Sequence, residues 1–327
     1  MRYLIRKVLF LLIAAWAALT LNFFLPRLMP GDPASIMVAK YRGMLTPDAV
    51  KALEISFGID SDKNLALQYV DYLSDLFKGD FGLSVVYFPQ PVTKILAKTI
   101  PWTVGLLGIS TVIAFVLGIL IGIQTGWKRN SLISDSIVPI SLFLNAMPYF
   151  WFAMLILYIF SFVLGWFPLG GAYDPFGSSE GFTHVLSILK HAFLPAITII
   201  VTALGGWVLT MRNSMINVLA ENYVLFANAR GLSDKKIKYS YVARNAILPS
   251  FTGFAMAMGF VIGGAIMTEI VFSYPGVGYT LYQAVIGLDY PLMQAIFLFI
   301  SVTVLVANFI ADLFYLILDP RVRYGVS

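Results

Sequence analysis

The residues best placed to do chemistry are six bases in the second half of an otherwise apolar chain: Arg212, Arg230, Lys235, Lys236, Lys238 and Arg244. Arg212 lies just upstream of the polar stretch Glu221 to Pro249, and the other five lie inside it. A basic loop between apolar runs faces the cytoplasm, and its chemistry is docking, not bond-making. Groups that make or break bonds are scarce. Two histidines, His184 and His191, and no cysteine leave no metal-ligand cluster and no thiol chemistry. No Gly-x-x-x-x-Gly-Lys-Ser/Thr loop occurs, so the chain lacks the usual backbone cradle for ATP phosphates. Ionisable groups within apolar runs are few: Asp135, Arg212, Asp312 and Glu269. Ion-coupled carriers place acids near the bilayer midplane. Asp135, Arg212 and Asp312 instead fall near the cytoplasmic ends of their runs, which suits pairing across helices or snorkelling. Glu269, at the outer end of a run, suits either a turn cap or an outer gate.

Two short helices must position the basic stretch. Glu221 to Arg230 reads as a helix, because an acid at its start and a base at its end complement the dipole. Tyr223, Phe226, Ala227 and Arg230 fall at helical spacing on one face. Gly231 ends that helix by tolerating a left-handed turn. Ser233 is a good N-cap for a second helix, with Asp234 in its first turn, and Pro249 marks entry into the next apolar run.

Those runs define the class. The chain of 327 residues is 59% hydrophobic and 12% charged, with net charge +5 and mean hydropathy +0.83, against about 25% charged for a soluble domain. The expected fold is an all-α polytopic membrane protein with about six transmembrane helices. A first transmembrane helix occupies residues 1–30. Its positive flank (Arg2, Arg6, Lys7) lies inside, and its small-residue pattern Ala15-Trp16-Ala17 falls within the run, unlike a cleavage site. Residues 31–100, with acids and bases nearly balanced, form a small extracytoplasmic subdomain. Thr46 there caps a helix reaching about Phe57, and an amphipathic helix follows from about Asn64 to Phe77. Residues 101–320 hold five further spans and the loop 220–249. These spans cover about 103–125, 133–164 with a kink at Pro148, 193–218, 250–272 and 292–318. Gly253, Gly259, Gly263 and Gly264 permit close helix contact in the fifth. Residues 321–327 form a cytoplasmic tail. Bases concentrate in the segments this topology puts inside, so both termini are cytoplasmic.

The ordered residues of the basic stretch resemble the cytoplasmic coupling loop of ABC importer permeases of the dipeptide/oligopeptide/nickel type. The matching residues are Tyr223-Val224, Ala227, Ala229, Gly231-Leu232-Ser233, Arg244-Asn245 and Pro249. Against the broader superfamily pattern Glu-Ala-Ala-x-x-x-Gly, Ala227 and Gly231 fit, while Leu225 holds the glutamate position and Phe226 the first alanine. Glu221 sits one helical turn before Leu225. Further resemblances cover essentially the whole length: Pro30-Gly31-Asp32-Pro33, Gly79-Asp80-Phe81-Gly82 with Ser84, Glu269 to Gly278, Asp289-Tyr290-Pro291 and Asp319-Pro320-Arg321.

The resemblance implies a type I permease fold in the cell membrane of a prokaryote. It implies a second homologous permease, two cytoplasmic ATPase subunits and an extracytoplasmic solute-binding protein as partners. ATP and Mg would belong to the ATPases, and this chain would carry no cofactor, metal or nucleic acid. Glu221, Tyr223, Phe226, Ala227, Ala229, Arg230, Gly231 and Ser233 would form the ATPase-coupling element. Asn145, Met147, Tyr149, Gly205, Met256 and Glu269 are candidates for the pathway or gate, and all but Glu269 also suit ordinary helix packing. The cargo implied is di- or oligopeptides, with oligosaccharides or nickel chelates as alternatives. A stand-alone secondary carrier or channel predicts internal repeats with broken helices or mid-membrane charge.

Overall fold

The computed structural model describes residues 2–30, 46, 49, 51, 52, 55, 57, 63–177, 180–261 and 266–318, with side chains between residues 9 and 309. Among them the protein is helical, with one isolated antiparallel bridge between Leu83 and Pro91. In chain order the elements are α1 (Arg2–Arg27), α2 (Leu65–Phe77), α3 (Val92–Trp127), α4 (Leu132–Ala146) and α5 (Tyr149–Ile156), which runs on as a π-helix over Leu157–Val163. Then come α6 (Gly181–Leu219), α7 (Asn222–Ala229) and α8 (Asp234–Lys236), followed by a π-helix over Ile237–Ala243. The chain continues as α9 (Arg244–Phe260), α10 (Ile266–Val271), α11 (Val277–Ile286) and α12 (Tyr290–Leu318).

Among the described residues, four helices are long and apolar enough to cross a membrane: Leu9–Arg27, Val92–Trp127, Gly181–Leu219 and Tyr290–Phe309. The bent pair α4 and α5 makes up to five where the pair counts as one span. The expected span over 250–272 corresponds to α9 and α10, and residues 262–265 between them, Gly263 and Gly264 included, lie outside the described residues. So do most of the helix expected before Phe57 and the whole of the tail. Thr46 does accept a hydrogen bond from the Ala49 N–H at 3.4 Å, as an N-cap would.

The helix of the second span starts at Val92, ahead of the apolar run expected from near Thr103, and that of the fourth at Gly181, ahead of the run expected from near Phe193. Lys94, Lys98, His184 and Lys190 lower hydropathy in those first turns without lowering helicity, so the helices outrun their apolar cores. The third span is not a kinked helix. Its two halves meet at 98°, because Met147 and Pro148 both adopt extended backbone (ψ 127° and 120°). Proline disfavours helical backbone at the residue before it, which ends α4 at Ala146.

The chain forms two compact units. One comprises residues 1–103, 262–266 and 275–306. Its core joins Val92, Ile95 and Leu96 of α3 to Val277, Leu281 and Ala284 of α11 and to Leu292, Met293 and Ile296 of α12. A buried carboxylate fastens this unit. Asp289 accepts from the Ser84 hydroxyl, from Val86 N at 3.0 Å and from Leu292 N at 3.1 Å, capping α12 in the last of these. Burial pushes its pKa up, while those hydrogen bonds pull it down. Asp80 closes the turn before Ser84 by accepting from Gly82 N at 2.9 Å. Thus the Gly-Asp-Phe-Gly-x-Ser and Asp-Tyr-Pro segments are one structural knot.

The other unit comprises residues 104–261, 267–274 and 307–327. Its helices approach closely through glycine. A Cβ built on Gly118, Gly122 or Gly126 of α3 would lie 2.4, 2.6 and 2.6 Å from the Cβ atoms of Trp207, Met211 and Met215 on α6. Three glycines spaced by four make a continuous groove on one face of α3, and three large side chains at the same spacing fill it. Phe115 adds a stacked contact to Phe254 (4.3 Å between centroids) and an edge contact to Trp207 (5.3 Å). In α9, Gly253 and Gly259 take the expected packing role against Trp207 and Ala307.

Candidate docking site and pathway residues

The basic stretch is a helix, a glycine stop and a second helix. Glu221 and Ser233 occupy the two N-cap positions with extended backbone, although neither side chain makes a capping bond. Gly231 has φ +73°, a conformation costly for any residue with a Cβ. Its N–H donates to Asn228 O at 2.9 Å, and Leu232 N donates to Ala227 O at 3.4 Å. These are the paired bonds of a Schellman motif, completed by Leu232 packing on the core that Ala227 enters. The far side is pinned by polar contacts. Asn245 Nδ2 donates to the Tyr223 hydroxyl at 2.8 Å and to Tyr241 O at 2.9 Å. Two separated residues of the Tyr-Val and Arg-Asn pattern are therefore hydrogen-bond partners.

The helix α7 has two faces. Val224 and Ala227 are buried in one cluster with Ile119 and Ile123 of α3, Met211 and Met215 of α6, and Ile237, Val242 and Ala246 beyond the stop. Leu225 and Phe226 remain 59% and 70% exposed, and Ala229 and Arg230 are exposed with them. The expected single face of Tyr223, Phe226, Ala227 and Arg230 is thereby corrected. Ala227 points into the core, Tyr223 is tied to α9, and Leu225 takes the outward position. Apolar residues surround this short helix on both sides, so burial by the spans selected the inner face.

The basic residues divide too. Arg230, Lys235, Lys236 and Arg244 are exposed. Lys238 is buried, its Nζ donating to Gln124 Oε1 near the end of α3. Gln124 Nε2 in turn donates to the Tyr239 hydroxyl at 3.2 Å. Lys238 is thus a fastening between the π-helix and α3, not part of a docking charge.

Asn145, Met147 and Tyr149 flank the α4–α5 break, and Gly205 of α6 packs against the α4 backbone at Ser141 and Asn145. Gly205 serves backbone packing: a Cβ there would fall 2.3 Å from Ser141 O and 3.1 Å from Asn145 N. Asn145 and Tyr149 are exposed and Met147 half-buried. Met256 is 36% exposed on α9. Glu269 is fully buried in α10, and its backbone carbonyl accepts from Tyr274 N at 2.8 Å to close the turn that follows.

Of the three charges expected to pair or snorkel, two have described side chains. Asp135 and Arg212 make no ion pair with each other. Asp135 sits exposed in the first turn of α4, where the helix dipole favours an acid. Arg212 Nε is buried without a hydrogen-bond partner, and the side chain of Asp312 lies outside the described residues. The glycine groove of α3 escaped the sequence reading, although glycines at i, i+4 and i+8 were there to be seen. The Ser84–Asp289 bond, spanning 205 positions, left no such signal.

Comparison with known proteins matches residues 96–324 to the family "Binding-protein-dependent transport system inner membrane component". Residues 1–107 match the N-terminal region of such membrane components. The chain is 32% identical to the di/tripeptide transport system permease protein DppB of Pseudomonas aeruginosa (strain UCBPP-PA14), over 98% of both chains. It is 30% identical to the oligopeptide transport system permease protein AppB of Bacillus subtilis (strain 168), over 98% of this chain and 99% of the relative. A putative peptide permease protein of Brucella suis biovar 1 (strain 1330) is 33% identical over 99% of both.

Proposed function

Because this chain belongs to the inner membrane components of binding-protein-dependent transport systems, the permease subunits of ABC importers, we propose that α7 is where a cytoplasmic ATPase subunit grips it. The two-faced build of α7 carries the proposal. Leu225, Phe226 and Ala229 offer an outward surface, while Val224 and Ala227 share one buried core with α3 and α6. A push on the outer face reaches the spans through close-packed side chains, which transmit strain because they have no slack to absorb it. The Schellman stop and the Tyr223–Asn245 bond keep the helix from swivelling under load.

The chain would supply half of a translocation pathway beside a second permease, with both termini and α7 in the cytoplasm. A solute-binding protein would deliver cargo on the opposite side. Di- or oligopeptides are the cargo in this reading, in keeping with the names of the relatives, a di/tripeptide and an oligopeptide transport system permease. ATP and Mg would sit on the ATPase subunits, and this chain's residues perform only the mechanical step. The test is a pull-down of the tagged chain from native membranes, with ATP hydrolysis assayed in the eluate. Recovery of a second permease and an active ATPase is the expected outcome. A chain recovered alone, without hydrolysis, that still moved solute down an ion gradient would overturn the proposal.

A further inference from the structure

Among the described residues, the helix α2 has more apolar surface than its neighbours cover. One face, Tyr69 and Tyr72, meets α1: both rings lie against Phe23 (5.1 and 5.6 Å between centroids), and the Tyr69 hydroxyl hydrogen-bonds the Thr20 hydroxyl at 2.8 Å. A second, polar edge carries Gln68, Asp71 and Asp75 and lines a cavity of about 420 Å³. The third face holds Leu67, Val70 and Phe77, within 80° of one another on a helical wheel, and its side chains are 58%, 59% and 84% exposed.

The depth of this third face follows from α1. Its uncharged run, Val8 to Pro26 between Lys7 and Arg27, is 19 residues long, about 28 Å at 1.5 Å per residue, close to a hydrocarbon core of about 30 Å. Tyr69 contacts Phe23 and Phe24, three to four residues before Arg27, or about 5 Å inside that end. Interfacial helices bury an apolar face about 5–10 Å into the headgroup and acyl boundary. Lys63 and Lys78 bracket α2 at its two ends, each paired with an aspartate of its polar edge. We infer that α2 lies in the membrane interface at the face where α1 ends, with Leu67, Val70 and Phe77 immersed among lipid acyl chains.

The chain contains no cysteine, so single spin labels can be placed by Val70→Cys and Phe77→Cys, with Asp71→Cys as the polar-edge control. The whole transporter is reconstituted in phosphatidylcholine nanodiscs, and the unsubstituted complex supplies the background from partner thiols. The ratio of collision with oxygen to collision with an aqueous nickel chelate should be several-fold higher at positions 70 and 77 than at 71. Ready collision with the nickel chelate at both positions would place this face in water. Poor collision with both reagents would place it under a partner protein. Either result overturns the inference.

Discussion

In the unit that contains Asp289, a loop and a helix start are fastened by polar groups taken out of water: one carboxylate collects the Ser84 hydroxyl and two backbone N–H groups. In the unit that contains α7, helix approach is set by the absence of side chains, with Gly118, Gly122 and Gly126 admitting Trp207, Met211 and Met215. The first device fixes one register, since removing any partner strands a buried polar group. The second holds two long helices at near backbone contact and passes load by repulsion. The helix proposed to couple to the ATPase, α7, shares the core of the second.

The largest effect should come from filling the groove. Gly122→Leu puts a side chain where even a Cβ meets Met211 Cβ at 2.6 Å and Val208 O at 2.9 Å, costing about 3 kcal/mol. A marked fall in the thermal aggregation midpoint of the detergent-solubilised protein would show it; an unchanged midpoint would mean the helices do not meet there. Asp289→Ala leaves the Ser84 hydroxyl and the Val86 N–H unpaired at a cost of about 2 kcal/mol. Combining it with Ser84→Ala should cost less than the sum of the two, because the partners share one interaction. Asn245→Ala, at a more exposed site, should cost about 1 kcal/mol. Its signature is faster amide exchange confined to α7, with none in α3 or α6.

The smallest effect is a pH slope. Asp289 has a folded pKa raised by burial, so the folded protein takes up this proton at higher pH than the unfolded chain does. Its contribution to stability is therefore greatest in acid and declines as pH rises from the ordinary aspartate range through the folded value. Asp289→Asn should remove that component from a stability-versus-pH profile; a profile unchanged by the substitution would contradict it.

The helical class, most of the spans and the stop at Gly231 could be read in the sequence because each rests on local chemistry: apolar run length, charge placement and a residue tolerant of positive φ. The inner face of α7 could not be read. Over eight residues, Val224 with Ala227 and Leu225 with Phe226 are equally good apolar faces, and only packing against α3 and α6 chooses between them. The break before α5 was visible as Pro148, but its 98° size depends on Met147 being extended as well. Lys238 read as a docking charge because its partner, Gln124, lies in a different span. The third face of α2 was legible as amphipathicity without a hint of what covers it.

We propose that the outward face of α7 carries force and its inward face passes it on. The direct measurement compares ATP hydrolysis and solute uptake in proteoliposomes of the whole transporter, for the wild type and for Leu225→Asp with Phe226→Asp. Both residues are exposed, so the spans should fold normally, with an unchanged aggregation midpoint. Loss of uptake together with loss of ATPase capture or of solute-stimulated hydrolysis is the expected outcome. Wild-type uptake by the double variant, with the ATPase bound normally, would contradict it.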